Sequence, residues 1–164
     1  MFLLILIPSQ IRNQGIKTDR IDRFFSMSKR IDKLAPGVSR ELKVSIFKEL
    51  EEFSEEDQNW FLALIFVESS FRPSVIGDQG KSFGLCQIQI PIAQYVAGRK
   101  ISKEDLLDPV QNLKIAKVYV KELLKNCSWA ETLAIYNSGR KNLTLAFGYL
   151  SRIKNSMHLF DYVD

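Results

Sequence analysis

One glutamate in this chain stands where its carboxyl group could do acid–base chemistry. Glu68 directly follows residues 60–67, an unbroken run of eight apolar side chains. Such a run predicts a buried central helix, and a carboxylate at its end is expected to have a raised pKa because burial disfavours the charged form. A carboxyl group that stays protonated near neutral pH can donate its proton to a leaving oxygen, as a glycosidase acid does. The alternative interpretation is a helix-end carboxylate that turns toward water.

A second carboxylate, Asp78, lies ten residues further along the chain. Retaining and inverting glycosidases use a pair of carboxyl groups, about 5 Å apart in the first class and about 6.5–9.5 Å apart in the second. Asp78 could complete such a pair in a hydrolytic enzyme. Its position between Gly77 and Gly80 favours a turn residue instead, because Asp side chains commonly hydrogen-bond the backbone of turns.

Four short motifs follow one another along the chain. They are E-S-S-F at residues 68–71, G-L-C-Q-I at 84–88, D-P at 108–109 with Asn112, and A-I-Y-N-S-G at 134–139. Each motif alone is weak, but in this order they resemble the lytic transglycosylases with the SLT-type, lysozyme-like catalytic domain. The resemblance spans about residues 40–153 and leaves residues 1–39 outside it.

The resemblance implies that Glu68 is the sole catalytic acid and base. One carboxyl group suffices in that family because the muramoyl 6-hydroxyl attacks its own anomeric carbon, with no metal or cofactor. The resemblance also implies substrate contacts for Gln87, for Tyr136 near the glutamate and for Asn137 against an N-acetyl group. Further substrate-binding candidates are Ser69 and Ser82. We expect the Tyr136 hydroxyl to hydrogen-bond Glu68 and hold it in place.

The chain departs from the family pattern at three points. Cys86 stands where the family usually has Met, and Ser138 stands where Ala is usual. The glycine loop at residues 80–84 is one residue longer than the common form. Whether Ser82 matches the serine often found in this loop of the family depends on where the extra residue is placed. Phe83 and Tyr95 are the aromatic candidates for the sugar cleft, whereas Trp129 is expected in the core.

The elements that position these residues are predicted to be mainly α-helical, because no segment shows sustained alternation of apolar and polar residues. Apolar spacing and capping residues predict helices over 17–34, from Ser39, from Ser54, from Pro91 to about 97, over 108–125, from Ser128 and over 143–153. Residues 74–84 have the composition of a loop. The expected architecture is a lysozyme-like helical domain with a sugar-binding cleft.

Length and composition fit one compact globular core. The 164 residues include 11 Phe, 5 Tyr and 2 Trp, which excludes a disordered or collagen-like chain. We divide the chain into an N-terminal segment, residues 1–39, and a lysozyme-like domain, residues 40–164. Residues 12–48 hold ten Lys and Arg against four Asp and Glu. This basic segment is interpreted mainly as a solvated helix face, although it permits a polyanionic partner.

The N-terminal apolar run, residues 2–7, is too short to span a bilayer and resembles an incomplete export signal or a packed strand. Cys86 and Cys127 could form a disulfide or remain buried thiols. A single histidine, His158, gives no zinc-type ligand cluster.

The sequence thus favours a lytic transglycosylase that cuts the MurNAc–GlcNAc β-1,4 bond of peptidoglycan. A hydrolytic lysozyme of the goose type and a non-catalytic wall-binding module are the alternatives. The substrate implies an exported protein of the periplasm or cell envelope. Glycan strands are the expected partner, with cell-envelope machinery as a further one and no nucleic acid, since no recognised motif accompanies the basic charge. We expect the chain to act as a monomer.

Overall fold

The structure is a computed structural model that describes residues 9–160, and the surroundings of side chains from residue 18 onward. The apolar run at residues 2–7 therefore lies outside the described residues. The helices are α1 (Ser9–Leu34), α2 (Arg40–Leu50), α3 (Glu55–Ser69), α4 (Ile90–Ala97), α5 (Lys103–Leu107), α6 (Pro109–Leu124), α7 (Trp129–Ser138) and α8 (Phe147–Met157). Within residues 9–160, none of the helices combines the length and apolarity that a bilayer span needs.

The helix starts predicted at Ser39, Ser54 and Ser128 are confirmed by side-chain caps. Ser39 Oγ accepts from the Leu42 N–H at 3.2 Å, and Ser54 Oγ accepts from the Asp57 N–H at 3.1 Å. Ser128 and Glu131 form a reciprocal capping box at the start of α7. These bonds satisfy first-turn N–H groups that have no partner within the helix.

Helix α3 is the centre of the core. Residues 61–65 are all fully buried, and α3 packs along α8. Helices α2 and α6 pack against each other beside it. Helix α1 adds Met27, Ile31 and Leu34 to the same core. The continuous burial around α3 follows from its apolar run, which offers no polar face to water.

A small three-stranded antiparallel sheet begins within residues 74–84, the glycine-rich segment that the sequence predicted to be a loop, and its third strand follows just after that segment. Its strands are β1 (Ile76–Gly77), β2 (Ser82–Phe83) and β3 (Ile88–Gln89), in the order β1-β2-β3. Ile76 pairs with Phe83, and Phe83 pairs with Ile88. The prediction of a loop missed these strands because two-residue strands are too short to show an alternating pattern.

Three helix predictions also need correction. Helix α1 begins at Ser9, before the predicted start at residue 17. Helix α5 was missed, although Ser102 and Asp105 form a capping box at its start. Helix α8 begins at Phe147 and not at residue 143, because residues 143–146 form a turn in which Asn142 Oδ1 accepts from the Leu145 N–H at 3.0 Å.

Candidate active site

Glu68 lies in the last turn of α3, at the wall of a cavity of about 570 Å³. The helix ends because Ser70 and Phe71 adopt left-handed backbone conformations, with φ of 52° and 59°. The buried Phe71 side chain anchors this reversal in the core. The main chain therefore turns away immediately after Glu68 and leaves its carboxyl group facing the cavity.

Burial raises the pKa of Glu68 from 4.5 to about 7. Loss of hydration is the largest cause, and the nearby Asp78 carboxylate raises the pKa further. A hydrogen bond from Tyr149 and the positive charge of Arg152 act in the opposite direction. The predicted upward shift is therefore present, and its main cause is the apolar end of α3.

Tyr149 on α8 is the hydrogen-bond partner of Glu68. Its hydroxyl donates to Glu68 Oε1 at 2.6 Å, across 81 positions of sequence. Burial raises the pKa of Tyr149 well above its usual range, so the hydroxyl keeps its proton. Tyr149 was not among the residues predicted for the site. Its only feature in the sequence is a position on the apolar face of an amphipathic helix.

The predicted hydrogen bond between Tyr136 and Glu68 is wrong. Tyr136 lines the cavity, but its hydroxyl donates to the Cys86 carbonyl at 2.7 Å. The Tyr136 ring also packs against Tyr119, with 5.7 Å between the ring centroids. Tyr136 therefore fixes the cavity wall opposite α3.

Asn112 ties the same wall to α6. Its Nδ2 donates to the carbonyls of Phe83 and Leu106 at 2.8 and 2.9 Å, and its Oδ1 accepts from the Cys86 N–H at 2.8 Å. The Asn112 side chain is fully buried, so each of these bonds satisfies a group with no access to water. Gly84 passes so close to Asn112 and the Leu106 carbonyl that a Cβ there would collide with both.

Gln87 lines the cavity from a left-handed backbone conformation with φ of 49°. Its Nε2 donates to the carbonyls of Val75 and Gly84 at 3.0 and 2.9 Å. Gly77 leaves room for the Gln87 side chain, since a Cβ at residue 77 would collide with its Oε1. The side-chain amide nitrogen of Gln87 thus links the main chain at Val75 to the main chain at Gly84 and stabilises the loop.

Asp78 and Ser82 lie on the same cavity wall as a bonded pair. The Ser82 hydroxyl donates to Asp78 Oδ2 at 2.6 Å, and Asp78 has a φ of 47°. Both residues line the cavity together with Glu68. Asp78 therefore lies in the turn between β1 and β2, as expected, and also lines the cavity, but its carboxylate accepts from a side-chain hydroxyl and not from the turn backbone.

Of the four remaining residues predicted for the site, one lines the cavity and three do not. Asn137 lines the cavity rim and is exposed. Ser69 is buried, and its hydroxyl donates to the Ile65 carbonyl at 3.2 Å, so it does not line the cavity. Phe83 is buried in the core and Tyr95 is 78% exposed, and neither lines the cavity, which corrects their expected place in the cleft.

Trp129 stacks on Trp60 at 6.0 Å between ring centroids, packed on the core as expected. Cys86 and Cys127 are free thiols, the first buried and the second half-buried. In the part of the chain that the structure describes, no group of three or more His, Cys, Asp or Glu side chains is arranged to hold a metal ion.

Comparison with protein families decides the identity of this helical domain. The family model described as "Transglycosylase SLT domain" matches residues 45–156, from α2 to the end of α8. The chain belongs to the transglycosylase SLT domain family. The comparisons with curated proteins and with solved structures gave no match.

The SLT match confirms the resemblance drawn from the four motifs and the mainly α, lysozyme-like fold. Members of this family cleave glycosidic bonds by transglycosylation and act on peptidoglycan. Their substrate places that activity in the periplasm or cell envelope. The SLT match covers the cavity-lining residues on α3, on the sheet, on α6, on α7 and on α8.

Proposed function

We propose that this SLT domain is a lytic transglycosylase that cleaves the β-1,4 bond between MurNAc and GlcNAc and forms 1,6-anhydro-MurNAc. The observation that carries the proposal is Glu68, a carboxyl group at the cavity wall with a pKa of about 7. Near neutral pH such a group exists in both protonation states, so it can serve first as an acid and then as a base.

In the first step the Glu68 carboxyl group donates its proton to the glycosidic oxygen, and the bond from that oxygen to C1 of MurNAc breaks. The 6-hydroxyl of the same MurNAc residue then attacks C1, and the Glu68 carboxylate accepts the hydroxyl proton. The new C1–O6 bond closes the anhydro ring, and Glu68 is protonated again without consumption of water. A nucleophile tethered to the reacting sugar has a high effective concentration, which lowers the entropic part of the barrier.

Other side chains are assigned supporting roles in this reaction. Tyr149 orients the Glu68 carboxyl group through its 2.6 Å hydrogen bond. Gln87, Tyr136, Asn137 and Ser82 line the cavity and are proposed to contact the sugars. Ser69, whose hydroxyl is bonded to the helix backbone, stabilises the end of α3.

A hydrolytic lysozyme is the second candidate function. It is favoured by one observation, because Asp78 lines the same cavity and its charge raises the pKa of Glu68. A hydrolase would use Asp78 to position or activate water. The 2.6 Å bond from Ser82 to Asp78 favours a role in the turn instead, since it occupies one carboxylate oxygen.

The test is mass spectrometry of soluble fragments after incubation of purified peptidoglycan with the wild-type protein and with Glu68→Gln. We expect wild-type fragments that end in 1,6-anhydro-MurNAc, and loss of nearly all product with Glu68→Gln. Glu56→Gln, an exposed position on the same helix, is the matched control and should keep its activity.

Three results would count against the proposal. Reducing-end products that depend on Asp78 would establish the hydrolase. Binding to peptidoglycan without soluble products from either protein would establish a wall-binding module. Full activity of Glu68→Gln would remove the assigned acid.

The proposed substrate also sets the place of action. A chain that cleaves glycan strands must be exported to the periplasm or cell envelope, where these strands lie. We propose that it works there as a monomer.

A further inference from the structure

An exposed apolar segment adjoins the Glu68 cavity. We call residues 140–147, the connection from α7 to α8 together with the first residue of α8, the rim segment. Leu143, Leu145 and Phe147 are 47%, 64% and 72% exposed there. The residues just before the segment, Ser138 and Gly139, line the cavity, as do Tyr149 and Arg152 just after it.

The rim segment presents these side chains through a folded turn. Asn142 Oδ1 accepts from the Leu145 N–H at 3.0 Å, and the Asn142 carbonyl accepts from the Ala146 N–H at 3.2 Å. The Ala146 side chain is fully buried and anchors the turn. The backbone is thus held in a conformation that directs the large apolar side chains outward, where they gain nothing from the core.

Cations outnumber carboxylates along the chain on both sides of the rim segment. Residues 132–160 contain no Asp or Glu and four Lys or Arg, namely Arg140, Lys141, Arg152 and Lys154. Lys141 forms an ion pair with Glu131 at 3.0 Å, whereas Arg140 and Lys154 are exposed side chains. Exposed apolar side chains flanked along the chain by exposed cations are a composition that binds the headgroup region of anionic bilayers.

We propose that the rim segment docks this domain on an anionic lipid bilayer. Leu145 and Phe147 enter the interfacial region, and Arg140 and Lys154 contact the lipid phosphates. A second copy of this chain is a poorer occupant, because two such cationic surfaces repel each other. Docking in this way brings the mouth of the cavity close to the bilayer surface. The inference does not depend on which bond the Glu68 site cleaves.

The test is flotation of the full chain with vesicles of phosphatidylcholine alone or mixed with phosphatidylglycerol. We expect the wild-type protein to float with the mixed vesicles and to be released by salt, which screens the charges. Loss of two apolar side chains in Leu145→Ser/Phe147→Ser should lower the partition coefficient about tenfold or more. Arg140→Gln/Lys154→Gln should remove the preference for phosphatidylglycerol.

Matched controls lie on α6. Val118 is 49% exposed and Lys114 is exposed, so Val118→Ser and Lys114→Gln remove the same kinds of side chain elsewhere on the surface. Both should bind as the wild type does. The apolar run at residues 2–7 is present in every variant, so it cannot produce a difference between them.

A second measurement locates the contact directly. Phe147→Trp fluorescence should be quenched by lipids brominated on their acyl chains, whereas Val118→Trp fluorescence should not. Failure of the wild type to bind, or equal binding by Leu145→Ser/Phe147→Ser, overturns the proposal. The proposal is also overturned if Leu145→Ser/Phe147→Ser leaves vesicle binding unchanged and alters only the molecular mass measured by light scattering. The rim segment would then join copies of the chain.

Discussion

Replacement of Glu68 by Gln should stabilise the domain, and the gain should depend on pH. The folded-state pKa of about 7 lies above the ordinary value of 4.5, so the folded protein binds more protons than the unfolded chain between these values. Stability therefore falls as the pH rises through this window and is retained below it. Across the whole window this loss amounts to about 3 kcal/mol.

The amide of Gln has nearly the shape of the carboxyl group, carries no charge and can accept the hydrogen bond from Tyr149. At pH 4 the two proteins should have similar free energies of unfolding. At pH 8.5 the Gln variant should be more stable by about 3 kcal/mol, or roughly 6–12 °C in Tm for a domain of this size.

Urea denaturation followed by circular dichroism at the two pH values measures this difference. Glu56→Gln is the control, because an exposed carboxylate should leave the difference near zero at both values. Equal stability of Glu68→Gln and wild type at pH 8.5 would refute the reasoning, since the cost assigned to the buried charge would be absent.

Three further changes test the surroundings of the acid. Tyr149→Phe removes the hydrogen bond that lowers the pKa of Glu68, so kcat should fall and the alkaline limb of the pH–rate profile should move to higher pH. Asp78→Asn removes a charge that raises the pKa of Glu68, so the alkaline limb of the pH–rate profile should move to lower pH. The loss of kcat should be less than about tenfold. A loss of about a thousandfold would favour the two-carboxylate hydrolase. Asn112→Ala removes three hydrogen bonds to buried backbone groups and should lower the free energy of unfolding by about 2–4 kcal/mol. Exposed Asn126→Ala should change it by less than about 0.5 kcal/mol in the same denaturation assay.

Local signals account for what could be predicted of the fold from the sequence. Ser39, Ser54 and Ser128 cap helices as expected, because a cap involves residues three positions apart. The burial of α3 followed from its apolar run. The raised pKa of Glu68 followed in turn, since desolvation at the end of such a helix is its largest cause.

The partners of the site residues depend on contacts between distant elements. Tyr149 reaches Glu68 only because α8 packs along α3, and nothing near either residue encodes that packing. Tyr136, which the motifs led us to expect near Glu68, lines the cavity, but its hydroxyl donates to the Cys86 carbonyl. Tyr136 and Tyr149 both line the cavity, and the sequence motifs do not tell which of them donates to Glu68.

The backbone contacts of Cys86 explain how the wall of the cavity tolerates a departure from the family pattern. Its N–H is held by Asn112 and its carbonyl by Tyr136, while its side chain points into the core and is fully buried. Both hydrogen bonds use main-chain atoms, so they are available whether residue 86 is Cys or Met. What the side chain must do is fill core volume, which a smaller thiol does less completely than a thioether. The position of Gln87 beside the acid therefore depends on Asn112 and Tyr136 more than on the residue type at position 86.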